Sequence, residues 1–178
     1  MRRLPWLLLA LAVAGIDLAT KSAVFDSLAA GDTYWVFGHW FGLVEVLNPG
    51  ITGGMLKGVP PAVISALTGA AALGIAVWIL RGKLLPVPNR LFLALILGGA
   101  LGNLYDRVAY GRVRDFIDVW PGLAWPSQRS WLYHWPTFNF ADAAIVAGVA
   151  GLMVMAFFFS KDAGARETGA RESLRRDE

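Results

Sequence analysis

Four aspartates in this chain stand where an otherwise apolar sequence leaves little room for charge. Asp17 with Lys21, Asn103 with Asp106 and Arg107, and Asn139 with Asp142 each fall near the end of a long apolar block, and Asp115 follows the third block closely. Cysteine is absent and there are two histidines, His39 and His134, so thiolate chemistry is excluded, and neither histidine is expected to bind a metal. No serine has a histidine and a carboxylate in a recognisable local arrangement. Lys21 and Ser22 are neighbours in sequence, but adjacent helical residues point about 100° apart. Carboxylates remain. Two of them sharing one proton have pKa values pushed apart, so one serves as general base on water and the other as general acid. That chemistry attacks a peptide carbonyl without a cofactor, a metal or a covalent intermediate.

Such groups need elements to hold them. Hydrophobic residues make up 56% of the 178-residue chain, and they gather in blocks near the roughly 20 residues that cross a bilayer as helix. The spacing predicts four spans, over 4–23, 62–80, 91–110 and 140–159. An ionisable group inside a membrane costs about 2.5–3.5 kcal/mol on insertion scales, which makes each one here a candidate for function. Asp17 and Lys21 share a helix face at i and i+4 and can offset each other's cost. Ala94, Gly98 and Gly102 form a small-residue stripe on the third span, suited to close helix packing.

Arg2 and Arg3 precede the first span, Arg81, Lys83 and Arg90 join the second and third, and Lys161 follows the fourth. This bias predicts both termini in the cytoplasm, which places the polar ends of three spans at the exterior face. The segment 26–58 carries one basic residue, Lys57; the segment 111–137 has Arg112, Arg114 and Arg129 and a weaker bias. A cleaved signal peptide competes for the N-terminus, but three later spans favour counting the segment as span one. The net charge of +3 is concentrated beside apolar blocks, so membrane lipid, not nucleic acid, is the expected anionic partner.

The fold class is therefore an all-α membrane protein of four transmembrane helices with a small exterior β-hairpin or sheet. The hairpin is expected over Tyr34–Phe37 and Leu43–Leu47. A surface-lying exterior loop carries Trp120, Trp125, Trp131, Tyr133 and Trp135, residues suited to the headgroup layer. Residues 1–161 read as one functional unit and 162–178 as a disordered cytoplasmic tail.

Four ordered motifs resemble the lipoprotein signal peptidase family, also called signal peptidase II. Asp17-Leu18-Ala19-Thr20-Lys21 is similar to its D-x-x-T-K, and Asn48-Pro49-Gly50 to its N-x-G. Gly98 through Arg107, with Gly111, Val113, Asp115 and Phe116, follows its G-G-x-x-G-N-x-x-D-R-x-x-x-G-x-V-x-D-F. Phe138-Asn139-Phe140-Ala141-Asp142 follows F-N-x-A-D. The resemblance covers about Leu4 to Phe159. It implies an aspartyl endopeptidase of the bacterial cytoplasmic membrane that cuts a diacylglyceryl-modified prolipoprotein just before its lipidated cysteine. It further implies Asp115 and Asp142 as the catalytic pair, supported by Asp17, Lys21, Asn48, Gly50, Asn103, Asp106, Arg107 and Asn139. A monomer is expected.

Charge placement alone points to Asp106 beside Asp142, since Asp106 lies deeper in span three; the preference for Asp115 comes from the resemblance. Arg107 and Asn103 then read as partners that make Asp106 structural. Asp142 has a plainer reading as the N-terminal cap of span four, and Asp118 is a weaker alternative carboxylate. Glu45 reads as a solvent-facing strand position. Ile51-Thr52-Gly53-Gly54-Met55 departs from the family, which commonly places phenylalanine there. Two other classes compete with the peptidase. A proton or ion transporter predicts polar residues at several depths, which spans two and four lack. A non-catalytic scaffold predicts that Asp115 and Asp142 are dispensable in a folded protein.

Overall fold

The computed structural model describes residues 3–29, 32–38, 40–50, 59–81, 85–119 and 135–176, the last segment as backbone only from 159 onward. Its elements are α1 (Leu4–Ser27), β1 (Thr33–Phe37), β2 (Phe41–Asn48), α2 (Pro61–Arg81), α3 (Val87–Tyr110), β3 (Val113–Val119) and α4 (Phe140–Arg176). All four helices are long and apolar enough to cross a membrane, α4 over Phe140–Phe158. Leu11, Leu67, Leu73, Val146 and Met153 are exposed on their outer faces, an arrangement that water would penalise and hydrocarbon does not. The chain is a membrane protein.

Helix α3 is the axis of the bundle and packs against α1, α2 and α4. Its small residues permit this. A methyl group at Gly98 would collide with the Ala10 carbonyl and Val13 on α1, and one at Gly99 with the Ala141 carbonyl on α4. The core formed by Ala10, Ala72, Ile79, Leu93, Ala94, Leu97 and Ala100 thus gains backbone proximity as well as apolar contact.

Helix α3 starts at Val87, four residues before the expected Leu91. Pro88 falls in the first turn, where a missing N–H costs nothing, and Arg90 is buried within the helix. At the other end Gly111 adopts φ 70° and its N–H bonds the Arg107 carbonyl at 3.1 Å. This left-handed residue reverses the chain, a conformation glycine takes without a Cβ penalty, and sends it into β3.

The expected hairpin is present as β1 and β2, and β3 adds a third strand the sequence reading lacks. The order is β1-β2-β3, antiparallel throughout, with Asp115 opposite Val46 and Arg114 opposite Leu47. On its other side β3 forms an isolated bridge, Ile117 with Phe138. Ile117 donates to the Phe138 carbonyl at 2.8 Å and accepts its N–H at 3.2 Å. The sheet is thereby fastened to the start of α4.

The backbone of α4 stays helical to Arg176, where the sequence reading expects a disordered tail. Alanine, arginine and glutamate are good helix formers, and they carry the helix through Gly164 and Gly169 with no proline to stop it. The aromatic segment 120–134, the Ile51–Met55 departure, His39 and His134 lie outside the described residues.

Candidate active site

Three helices and the sheet deliver polar side chains to one end of the bundle, in two connected layers. The deeper layer is ionic. Lys21 Nζ donates to Asp17 Oδ2 at 2.7 Å and lies 3.2 Å from Asp106 Oδ2. Asp106 Oδ1 pairs with Arg114 Nη2 at 2.8 Å and Nε at 3.1 Å, and its Oδ2 accepts the Arg114 backbone N–H at 3.0 Å. Asp17 Oδ1 accepts the Ala141 backbone N–H at 2.8 Å. Asp17, Lys21 and Asp106 are fully buried and Arg114 nearly so. Two carboxylates and two cations therefore balance, which is the condition for keeping such groups away from water.

This layer gives Asp106 partners other than those the sequence reading expects. Its cationic partners are Lys21 and Arg114, not its neighbour Arg107. The Arg107 guanidinium instead donates to the Asn103 carbonyl at 3.2 Å and the Gly50 carbonyl at 3.1 Å. Gly50 in turn donates its N–H to Asn48 Oδ1 at 2.9 Å, so Arg107 and Asn48 hold the end of β2 against α3.

The upper layer carries the remaining carboxyl groups. Asp115, 1% exposed, accepts from Asn48 Nδ2 at 2.9 Å and from Asn139 Nδ2 at 2.7 Å. Asp142, half-buried, accepts from Asn103 Nδ2 at 2.8 Å. Asn139 also donates to Asn103 Oδ1 at 3.1 Å, and Lys21 donates to the same oxygen at 2.9 Å. Each amide thus has its donors and acceptors assigned by its neighbours. Burial, reinforced by the charge of Asp142, pushes the Asp115 carboxyl up to about 6 against the lowering effect of its two amide donors and Lys21. A carboxyl group poised there changes protonation near neutral pH.

The plainer reading of Asp142 does not hold. The α4 cap is Asn139, whose Oδ1 accepts the Asp142 N–H at 2.9 Å, three residues on; Asp142 sits in the first turn with its carboxylate free for other partners. Asp118 is buried on β3, but it lies three residues from Asp115, and strand alternation turns it to the opposite face. Lys21 and Ser22 do not pair: Ser22 Oγ is taken by Arg114 Nη1 at 3.2 Å. Glu45, expected to face solvent, is half-buried in β2.

Gly102 completes the arrangement, since a methyl group there would strike the Asp17 carboxylate. Arg114 is the site residue that sequence reasoning missed, counted there as a loop charge. Its one signal was a cation beside Asp115 in a segment where the expected topology disfavours cations.

Residues 9–159 match a family model described as Signal peptidase (SPase) II. The chain belongs to the signal peptidase II family. A lipoprotein signal peptidase of Azoarcus sp. is 39% identical over 160 residues, spanning 86% of this chain and 82% of the relative. Another, of Syntrophotalea carbinolica, is 37% identical over 151 residues, spanning 83% and 88%. The fold is similar to that of a bacterial membrane enzyme solved in meso, with a TM-score of 0.76 at 24% identity over 89% of this chain and 90% of that one. A second such enzyme gives 0.70 at 25% identity over 85% and 91%. Membership places this chain among peptidases, and the transporter and scaffold readings give way to a hydrolase.

Proposed function

We propose that Asp115 and Asp142 are the catalytic pair of an aspartyl endopeptidase that removes the signal peptide from diacylglyceryl-modified prolipoproteins, cutting before the lipidated cysteine. The observation that carries this reading is the amide bridge between them. Asn139 donates to Asp115 while accepting the backbone N–H of Asp142, and Asn103 connects Asn139 to the Asp142 carboxyl.

In the reaction, one ionised carboxylate takes a proton from water as the water oxygen attacks the scissile carbonyl carbon. The other, protonated carboxyl gives its proton to the carbonyl oxygen, forming a gem-diol. Collapse of that diol breaks the C–N bond: one hydroxyl proton returns to the carboxylate that had protonated the carbonyl oxygen, and the proton first taken from water passes to the leaving amine. Arg107 lies within electrostatic reach of both carboxyl groups, and its one positive charge matches the single negative charge of a pair sharing a proton. Asn48, Asn139 and Asn103 orient the carboxyl oxygens, and Gly50 is held by Arg107 where β2 ends.

An apolar cavity of about 480 Å³ opens beside Asp142, lined by Val119, Phe138, Ala143, Val146, Ala147 and Ala150 among others. Its walls suit hydrocarbon, in keeping with a lipid-bearing substrate. The proposed setting is the bacterial cytoplasmic membrane, with both termini in the cytoplasm, the site at the extracytoplasmic face, membrane lipid around a monomer, and residues 1–161 as the functional unit.

The test is turnover of a lipidated prolipoprotein in detergent by folded Asp115→Asn and Asp142→Asn. Each substitution should abolish cleavage, and residual turnover in either removes that residue from the pair.

A further inference from the structure

Strand β3 must present Asp115 at one height and one rotation. Its far end is tied to α4 through Ile117 and Phe138. Its near end emerges from the Gly111 reversal, and there Arg114 makes the attachments.

From Arg114, both the backbone N–H and the guanidinium engage the same carboxylate, Asp106, through three contacts of 2.8–3.1 Å. Nη1 reaches Ser22 Oγ on α1 at 3.2 Å. The guanidinium carbon lies 4.6 Å from the Tyr110 ring centre and 5.9 Å from that of Phe25. One side chain therefore joins α1, α3 and β3, with its fork geometry and its flat face both in use, as only arginine permits.

We infer that Arg114 is a positioning residue for the reaction: its clamp on Asp106, Ser22 and Tyr110 sets where the next residue of β3 presents its carboxyl group. Successive strand residues point to opposite faces, so fixing the side chain of 114 fixes the rotation of 115. The clamp also supplies the second cation of the buried layer, without which Asp106 would draw on Lys21 alone. Lys21 in turn holds the Asn103 oxygen, so the same residue steadies the amide that contacts Asp142.

This inference rests on Asp115 and Asp142 being the catalytic pair, and the experiment separates the two claims. Arg114→Met, Arg114→Lys and the double variant Arg114→Met with Asp106→Asn are compared with the parent and with Asp115→Asn, by kcat, KM and melting temperature on a lipidated prolipoprotein in detergent. Arg114→Met should lower kcat on the order of a hundredfold, as misplacement by about an ångström does, with KM changed by less than about twofold. The double variant removes the carboxylate left to share Lys21 with Asp17, so it should regain melting temperature without regaining kcat. Arg114→Lys keeps the charge and should fold like the parent, while its single ammonium cannot fork or stack and leaves kcat at least about tenfold low.

Parental kcat in Arg114→Lys, or kcat returning together with stability in the double variant, overturns the positioning role even if Arg114→Met fails to fold. Turnover by Asp115→Asn would instead defeat the underlying assignment, whatever Arg114 does.

Discussion

Asn139 and Asp115, 24 residues apart in the chain, are joined by a 2.7 Å hydrogen bond from Asn139 Nδ2 to Asp115 Oδ1. The same side chain caps α4 through Oδ1. One amide therefore does two separable jobs. Asn139→Ser keeps an oxygen for the cap but removes the two amide N–H donations, its shorter hydroxyl reaching neither acceptor while it caps the helix; Asn139→Ala removes everything. Both variants should lose most of their turnover, while only Asn139→Ala should also lose about 1–2 kcal/mol of stability, read as melting temperature. A serine variant with parental turnover would show that the donors to Asp115 and Asn103 are unimportant.

Asp115 is held by burial, ahead of every other cause, at about 6 against an ordinary 3.8. The folded protein thus binds this proton more tightly than the unfolded chain does. The contribution is fully present below about pH 4 and is lost as pH rises through about 6. At pH 7.5 an ionised Asp115 costs on the order of 1–3 kcal/mol. Asp115→Asn should therefore melt above the parent at pH 7.5 and level with it near pH 4. A difference that does not change with pH would contradict the raised proton affinity.

Lys21 lies between Asp17 and Asp106 with no exposure. Lys21→Met leaves a buried carboxylate uncompensated, which costs about 3–5 kcal/mol. Adding Asp17→Asn should return part of that loss. A Lys21→Met protein that melts like the parent yet turns over no substrate would give Lys21 a chemical role instead.

Gly102 and Gly74 make a matched pair of helix glycines. A methyl group at Gly102 meets the Asp17 carboxylate, whereas one at Gly74 meets nothing within 4 Å. Gly102→Ala should cost about 1–3 kcal/mol through overpacking. Gly74→Ala should be neutral or stabilising, since alanine is the better helix former by up to about 1 kcal/mol. Equal melting temperatures for the two variants would mean that α1 and α3 yield more readily than their contact implies.

Much of this was legible in the sequence because charge is rare in hydrocarbon. Asp17 and Lys21 pair at the spacing that a helix dictates, and the glycine stripe of α3 marks the helix contacts. Three things were not legible. Strand β3 has no isolated signature: Val113-Arg114-Asp115-Phe116-Ile117-Asp118-Val119 carries three charges in seven residues, and its strand character comes from pairing with β2 and Phe138. Nor does spacing reveal that Asp106 bonds Arg114, eight residues away, in preference to adjacent Arg107. That choice depends on the Gly111 reversal, which folds 114 back over 106. The catalytic preference for Asp115 over Asp106 likewise came from family likeness, since charge placement alone pointed the other way.

The bridge between Ile117 and Phe138 has a consequence for how this molecule can change. It pairs residue 117 with residue 138, so the strand that carries Asp115 and the turn of helix that carries Asp142 move as one piece, and a substitution that loosens the bridge shifts both carboxyl groups relative to each other.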